Sequence, residues 1–164
     1  MDVREVFRNR RSIRKFTSKP IPDSFVEEIV WAASLAPTAR NVQPWEFVVV
    51  KSLETIKEIA RMSSPNGALI AQAAACLAVF CQDTKYYLED GCAATTQALL
   101  GATALGLGSC WIAGDKKDYC QNIKDLLNVP ENYKLISLIA LGFADESPHP
   151  VKRDFKTLIH REKF

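Results

Sequence analysis

The stretch R10-R-S-I-R-K-F16 places three guanidinium groups and one hydroxyl within five residues, Arg10 to Arg14. A guanidinium stays charged at physiological pH, and its planar fork matches the oxygens of a phosphate. The stretch therefore predicts an anion cradle suited to a phosphate monoester. Short basic runs are also common on solvated surfaces, so the rest of the chain has to decide between the two interpretations.

Basic residues are concentrated at both ends of the chain. The whole sequence carries 21 Lys and Arg against 19 Asp and Glu, a net charge of +2. This near balance argues against a dedicated nucleic-acid binder, which needs a broad basic face. Two basic ends around a near-neutral middle instead predict one local anion site to which both ends contribute. The N-terminal set is Arg4, Arg8, Arg10, Arg11, Arg14, Lys15 and Lys19, and the C-terminal set is Lys152, Arg153, Lys156, Arg161 and Lys163.

Size and cysteine content indicate a single reduced domain. A chain of 164 residues with 48% hydrophobic residues predicts one globular domain over 1–164. The five cysteines are odd in number and form no C-x-x-C pair, so we expect buried thiols and no metal site. Because no apolar signal core or membrane-length run is present, we expect a cytoplasmic protein without a membrane partner. The cysteines are Cys76, Cys81, Cys92, Cys110 and Cys120.

Apolar spacing and turn residues divide the first half of the chain. They predict a short helix over 2–9, then a helix from a capping box of Ser24 and Glu27 to about Leu35. The polar loop 37–44 is either a rigid segment that holds side-chain amides or a simple connector. A strand follows at 45–50, then a helix at 53–62, a turn at 63–67, a helical stretch at 68–75 and a buried strand at 76–81.

The second half of the chain contains the most apolar segments. Small and apolar residues over 88–107 predict a central buried helix. Gly106 and Gly108 then lead into a strand over 109–114; since they follow a helix, they do not indicate a dinucleotide-binding fold. An amphipathic helix is predicted over 116–128, and a buried, central strand over 135–141. This irregular alternation predicts an α+β fold with a mixed or antiparallel central sheet flanked by helices.

The sequence is poor in candidates for acid, base or nucleophile. Its two histidines, His149 and His160, accompany no hydrolase or metalloprotease motif. We interpret Asp83, Glu89 and Asp90 as surface or capping groups. An enzyme with this composition has to leave the difficult chemistry to a cofactor.

Four motifs in order resemble the nitroreductase family of flavoproteins. They are R-R-S-I-R-K-F, A-P-T-A-R-N-V-Q-P-W-E-F, A-L-G-L-G-S-C-W-I-A-G, and G-F-A with a downstream K-R, and together they span almost the whole chain. The resemblance implies an intertwined homodimer with FMN at the subunit interface. It also implies a ping-pong oxidoreductase, in which NADH or NADPH reduces flavin N5 and a nitroaromatic or quinone is then reduced. No side chain is expected to act as a catalytic acid or base.

The resemblance also assigns site residues. It implies that Arg10, Arg11 and Ser12 hold the FMN phosphate and ribityl chain, and that Arg14 lies towards N1/O2 of the ring. A partner loop, braced by Gln43, and the strand segment after the glycines are expected to contact the ring, with the Ala113 and Gly114 N–H groups donating to N5 or O4. The tail is expected to bind the phosphate. The loop residues are Pro37, Thr38, Ala39 and Asn41, the strand residues are Trp111, Ile112, Ala113 and Gly114, the tail residues are Lys152 and Arg153, and Asn66 is expected at the pyrimidine edge.

The chain departs from longer family members in two respects, and other interpretations remain. Ala113 stands where longer members carry an acidic residue, and the helices that cover their active site are missing. The alternatives are a flavin-binding redox sensor without turnover, a basic-armed binding module without cofactor, and a thiol-based redox protein.

Overall fold

The computed structural model describes residues 2–164. The helices are α1 (Val3–Asn9), α2 (Asp23–Ser34), α3 (Leu53–Met62), α4 (Tyr87–Ala104) and α5 (Cys120–Leu126). The strands are β1 (Trp45–Val50), β2 (Ala75–Gln82), β3 (Gly108–Ala113) and β4 (Tyr133–Gly142). Short 3-10 turns cover Ala39–Asn41, Ala68–Gln72 and Phe155–Leu158.

Within residues 2–164, four strands form one open sheet in the order β1-β2-β4-β3, and every neighbouring pair is antiparallel. The predicted α+β fold is therefore confirmed, and of the two predicted kinds of sheet, mixed or antiparallel, the structure has the antiparallel one. The strand predicted over 135–141 is interior, and all of its residues are buried. This explains its almost uniformly apolar sequence, because helices cover both faces of this interior strand; the one polar residue, Ser137, shares a hydrogen bond with Thr95.

Each face of the sheet packs against its own set of helices. Successive side chains of a strand point to opposite faces, so Leu77 packs with Ile29 of α2 on one face, together with α4. Phe80 packs with Ile59 of α3 on the other face, together with α5. The strand β3 is left at one edge of the sheet and β1 at the other.

Two helix predictions are corrected at their starts. The capping box of Ser24 and Glu27 is wrong: α2 begins at Asp23 and has no side-chain cap. The entry to this helix is instead held by Lys51, whose Nζ lies 2.5 Å from Asp23 Oδ1. The helix predicted over 116–128 begins only at Cys120, because Lys116 has a φ of 63°, which a right-handed helix does not accommodate.

The predicted helical stretch 68–75 is also shorter than expected. It is a 3-10 turn over Ala68–Gln72. The Ala74 N–H donates to Leu141 O at 2.9 Å, and Ala75 pairs with Leu141 in the sheet. The backbone is thus drawn into β2 before another helical turn forms.

Candidate functional site

The predicted cradle segment, residues 10–16, lies along the outer edge of β3. The Ile13 N–H donates to Ser109 O at 2.9 Å, and the side chains of Ile13 and Phe16 are buried. Gly108 of β3 and Gly142 of β4 are paired directly on these two adjacent strands. A Cβ on Gly108 would lie 2.9 Å from Ile13, and one on Gly142 would lie 2.7 Å from Phe16. The two apolar side chains therefore fix the segment in place by filling the space that the glycines leave.

The chain that follows β4 clamps the same segment from the other side. Glu146 Oε1 accepts hydrogen bonds from the backbone N–H groups of Arg14 at 2.5 Å and Lys15 at 3.2 Å. The Asp145 N–H donates to Lys15 O at 2.9 Å. Nothing in the sequence around Glu146 predicted this role.

Both ends of the chain meet at a cavity of about 310 Å³. Its lining includes four cationic side chains, and Ser12, Pro148 and Pro150 complete it. The cations are Arg10, Arg11, Arg14 and Lys152. The structure thus brings cationic residues from both terminal regions to one cavity, whereas Arg153 is exposed and is not among the residues that line it.

Arg11, one of the residues that line this cavity, carries a donor that no group among residues 2–164 uses. Its Nη1 donates to Arg10 O at 2.8 Å, but its Nε is buried and has no partner among residues 2–164. An unpaired buried donor is costly, and more so when it is charged. The donor set therefore fits a phosphate group, which supplies several acceptor oxygens and a compensating charge.

The other end of β3 presents backbone groups at the open edge of the sheet. The Gly114 N–H donates to Ile136 O at 2.9 Å, so this pair is hydrogen-bonded. Hydrogen-bonded and non-bonded pairs alternate along antiparallel strands, and the next pair, Ala113 with Ser137, is therefore non-bonded. The Ala113 N–H points away from β4. Of the two predicted donors, Gly114 is already used and Ala113 remains; the expectation for Gly114 is corrected.

Neighbouring positions on β3 differ in what they expose. Ile112 is buried on the α5 face and belongs to a hydrogen-bonded pair with Leu138, so neither its side chain nor its N–H faces the edge. Trp111 packs its ring on the α4 face, whereas its N–H points to the open edge like that of Ala113. Ser109 lies beside Ser12 of the cradle. Ala113 is four positions further along β3, a distance of about 13 Å at about 3.3 Å per residue.

The loop 37–43 is held by a buried carboxylate that sequence reasoning missed. Asp90 is 5% exposed; its oxygens accept the Thr38 hydroxyl at 2.8 Å and the Ala39 N–H at 3.1 Å. The interpretation of Asp90 as a surface or capping group is therefore wrong. The available signal was a carboxylate in the first turn of a helix that is otherwise built mostly from small and apolar residues. Gln43 donates to Asn41 Oδ1 at 3.1 Å, the bracing contact that was expected.

This loop and the cradle lie at diagonally opposite corners of the sheet. The loop leads into Trp45 on edge strand β1, which aligns through Cys81 with Lys134 of β4. Ser109, beside the cradle, aligns with Leu141 of β4. Seven residues of strand separate these two β4 positions, about 23 Å at about 3.3 Å per residue, and three strand spacings add about 14 Å across the sheet. One small ligand cannot touch both corners of one chain.

Asn66 and Pro37 are exposed. Asn66 lies in the turn after α3, and no hydrogen bond joins it to the cradle within residues 2–164. The placement of Asn66 at the pyrimidine edge of a flavin therefore stays a prediction.

The cysteines lie mainly in the core as free thiols. Burial raises the pKa of Cys76 and of Cys81 from 9.0 to about 12, and burial also raises the pKa of Cys92, Cys110 and Cys120. The thiolate is the reactive form, so these environments disfavour thiol-based redox chemistry at neutral pH. In the described part of the chain no group of three or more His, Cys, Asp or Glu side chains could hold a metal, and no helix there is long and apolar enough to cross a membrane.

Comparison with known proteins gives a consistent result. A family model described as the nitroreductase family matches residues 7–81 and 81–143. This chain belongs to the nitroreductase family. A relative from Archaeoglobus fulgidus, provisionally named NADH dehydrogenase/NAD(P)H nitroreductase, is 34% identical over 166 residues, which cover 94% of each chain.

Solved nitroreductase-family structures share the fold. A structure described as an FMN-dependent nitroreductase from Clostridium difficile has a TM-score of 0.90 and 28% identity, and the match covers 99% of this chain and 100% of that one. The NADPH:FMN oxidoreductase of Vibrio harveyi, solved with NAD+, has a TM-score of 0.85 and 26% identity, with 98% of this chain and 76% of that one covered. The present chain thus shares the fold of both proteins over nearly all of the sequence given.

Proposed function

We propose that this protein is an NAD(P)H-dependent FMN oxidoreductase that reduces an electron-poor acceptor such as a nitroaromatic or a quinone. The observation that carries the proposal is the cavity with four cationic side chains and the unpartnered Arg11 Nε. The names of the Clostridium difficile and Vibrio harveyi proteins, which specify FMN and a nicotinamide donor, support the same cofactors here.

The chain's own residues divide the binding task. Arg10, Arg11, Ser12 and Lys152 bind the phosphate, and the exposed Arg153, next to Lys152 in the chain, joins them from the solvent side. Arg14 extends from the same segment, and its guanidinium makes one 3.3 Å bond to Ser12 O, which leaves further donors for the ring. A cation near the pyrimidine of a flavin favours its reduced form.

The ring is proposed to lie along the open edge of β3. There the Ala113 N–H and the Trp111 N–H offer fixed donors, and Asn66 approaches the pyrimidine edge. FMN, when bound, supplies the two-electron chemistry between the nicotinamide and the acceptor. The protein positions both ligands and holds donors where charge develops, and no side chain is assigned as a catalytic acid or base.

We further propose that the site is completed by a second copy of the chain. The loop residues Pro37, Thr38, Ala39 and Asn41 lie too far from the cradle of their own chain to share a ligand with it. In a symmetric dimer, each loop reaches the cradle of the partner. Several large apolar side chains are exposed and available for such an interface, among them Phe7 at 59%, Trp31 at 60% and Phe155 at 66%.

An absorbance spectrum of the purified protein, followed by anaerobic titration with NADH and then NADPH, tests the function. Flavin absorbance that bleaches on addition of either nicotinamide, and returns on addition of a quinone, is the expected result. A colourless protein that takes up no FMN would favour a binding module. Flavin that binds but is never reduced would favour a redox sensor.

A further inference from the structure

The turn that precedes α5 is bonded twice to the end of β3. The Tyr119 hydroxyl donates to Ala113 O, and the Cys120 thiol donates to Gly114 O at 3.2 Å. Both residues are partly buried. The loop 115–118 follows β3, and the two residues after this loop donate to the carbonyl oxygens of Ala113 and Gly114.

These two hydrogen bonds hold the backbone at the point where strand β3 ends. Strand β3 is an edge strand and ends at Ala113, and such ends open locally unless they are held. The Ala113–Gly114 peptide is held on both sides: its carbonyl oxygen accepts from Tyr119, and its N–H donates to Ile136 O at 2.9 Å. The next carbonyl, of Gly114, is held by Cys120. The backbone direction at Ala113 is therefore set by α5 as well as by β4.

Gly114 lies so close to the backbone of β4 that this position has no room for a side chain. A Cβ on Gly114 would lie 2.6 Å from the carbonyl carbon and oxygen of Ile136. The close approach of Gly114 to β4 and the two bonds from α5 together leave the Ala113 N–H pointing out of the edge. Burial raises the pKa of Tyr119 and of Cys120, which keeps both groups protonated and able to donate.

We propose that Tyr119 and Cys120 are positioning residues of the flavin site, which hold the end of β3 so that the Ala113 N–H is a preorganised donor to the ring. The inference rests on the proposed function, since it takes the ring to lie at this edge. A donor that is fixed before the reaction stabilises developing charge more than one that has to be ordered. Loosening the anchor should therefore weaken stabilisation of the reduced flavin more than it weakens binding of the phosphate end.

The test compares Tyr119→Phe and Cys120→Ala with matched controls. Tyr133→Phe removes a hydroxyl that makes no hydrogen bond within residues 2–164, and Cys92→Ala removes a thiol of similar exposure on α4. Cys120→Ser retains a donor and should restore the behaviour of the unmodified protein. Thermal unfolding of each variant verifies that it folds.

Two readouts are measured on each variant. The first is hydrogen exchange at the Gly114 amide in the protein without flavin, which we expect to be about three- to tenfold faster in Tyr119→Phe, the range that one neutral hydrogen bond supplies. The second is the flavin midpoint potential with the rate of reduction by NAD(P)H. We expect a more negative potential and slower reduction, with an FMN dissociation constant close to that of the controls.

Each outcome is decisive. Exchange, potential and reduction rate equal to those of Tyr133→Phe would overturn the inference. Faster exchange with unchanged potential and rate would also overturn it, because the anchor would then be structural alone. Failure of the unmodified protein to take up or reduce FMN would instead overturn the proposed function, and the inference with it, before any variant is compared.

Discussion

The carboxylate of Glu146 accepts a 2.5 Å hydrogen bond from the backbone N–H of Arg14. Residues 132 positions apart in the chain are thereby joined at the cradle, and the bond goes to the backbone of Arg14 and leaves its guanidinium free. We expect Glu146→Ala to release the segment, lowering stability by about 1 kcal/mol, the net value of a partly exposed hydrogen bond, and raising the FMN dissociation constant severalfold. Glu146→Gln retains an acceptor and should lie in between. Fluorescence titration with FMN measures the effect, and equal affinities in all three proteins would contradict it.

Arg14 itself should influence both binding and redox behaviour. Removing a charge-assisted contact costs about 1.5–3 kcal/mol, or about 10- to 100-fold in affinity. We therefore expect Arg14→Ala to retain less FMN and to show a more negative flavin potential, whereas Arg14→Lys should recover much of both. Arg4→Ala, on the exposed face of α1, is the matched control. Unchanged flavin content and potential in Arg14→Ala would exclude the assigned role.

Complementation tests whether the site is shared between two chains. Arg10→Ala impairs the cradle, and Asp90→Ala removes the carboxylate that holds Thr38 and Ala39, so each variant alone should bind FMN weakly. In a mixed symmetric dimer, one site combines an intact cradle with an intact loop. Mixing, unfolding and refolding the two variants together should therefore restore roughly a quarter of the sites. Flavin content no higher than that of the separate variants would argue that each site is built from one chain.

Gly114 should be intolerant of any side chain. The Cβ of Gly114→Ala would meet the Ile136 backbone at 2.6 Å, and overpacking of this kind costs about 1–3 kcal/mol. Gly106→Ala provides the comparison, because Gly106 has a φ of +75° with no atom within 4 Å of a new Cβ and should lose about 1 kcal/mol through backbone strain alone. The midpoint of thermal unfolding measures both. A smaller loss at Gly114 than at Gly106 would contradict the close approach of β3 to Ile136.

Stability should fall in alkaline solution because of the buried thiols. The pKa of Cys76 and of Cys81 rises from 9.0 to about 12 on folding, so the folded protein retains protons that the unfolded chain loses. The stabilisation is complete below pH 9 and is lost as the pH rises towards 12, at up to about 1.4 kcal/mol per pH unit for each thiol. Urea unfolding at pH values between roughly 8 and 11 measures how the free energy of unfolding changes with pH as these thiols begin to titrate in the unfolded chain. Cys76→Ala should reduce the slope, and an identical slope in that variant would contradict the assignment.

Several parts of the structure follow from local rules applied to the sequence. The apolar stretch 135–141 predicts an interior strand, and the helix over 53–62 has its predicted bounds, because periodicity and turn residues act within a few positions. The clustering of Arg10, Arg11 and Arg14 likewise indicates an anion site without any knowledge of the fold. The motifs that resemble the nitroreductase family identify the family, which the comparisons confirm.

What the sequence by itself determined, then, is the type of most elements, the family and the chemistry of the cradle. Only the tertiary structure decided which groups meet. It placed Asp90 under Thr38, turned the Gly114 N–H towards Ile136 and left the Ala113 N–H at an open edge, and it separated the loop from the cradle by the diagonal of the sheet. These relationships depend on strand order and register, which join residues far apart in the chain and leave no periodic signal in the sequence.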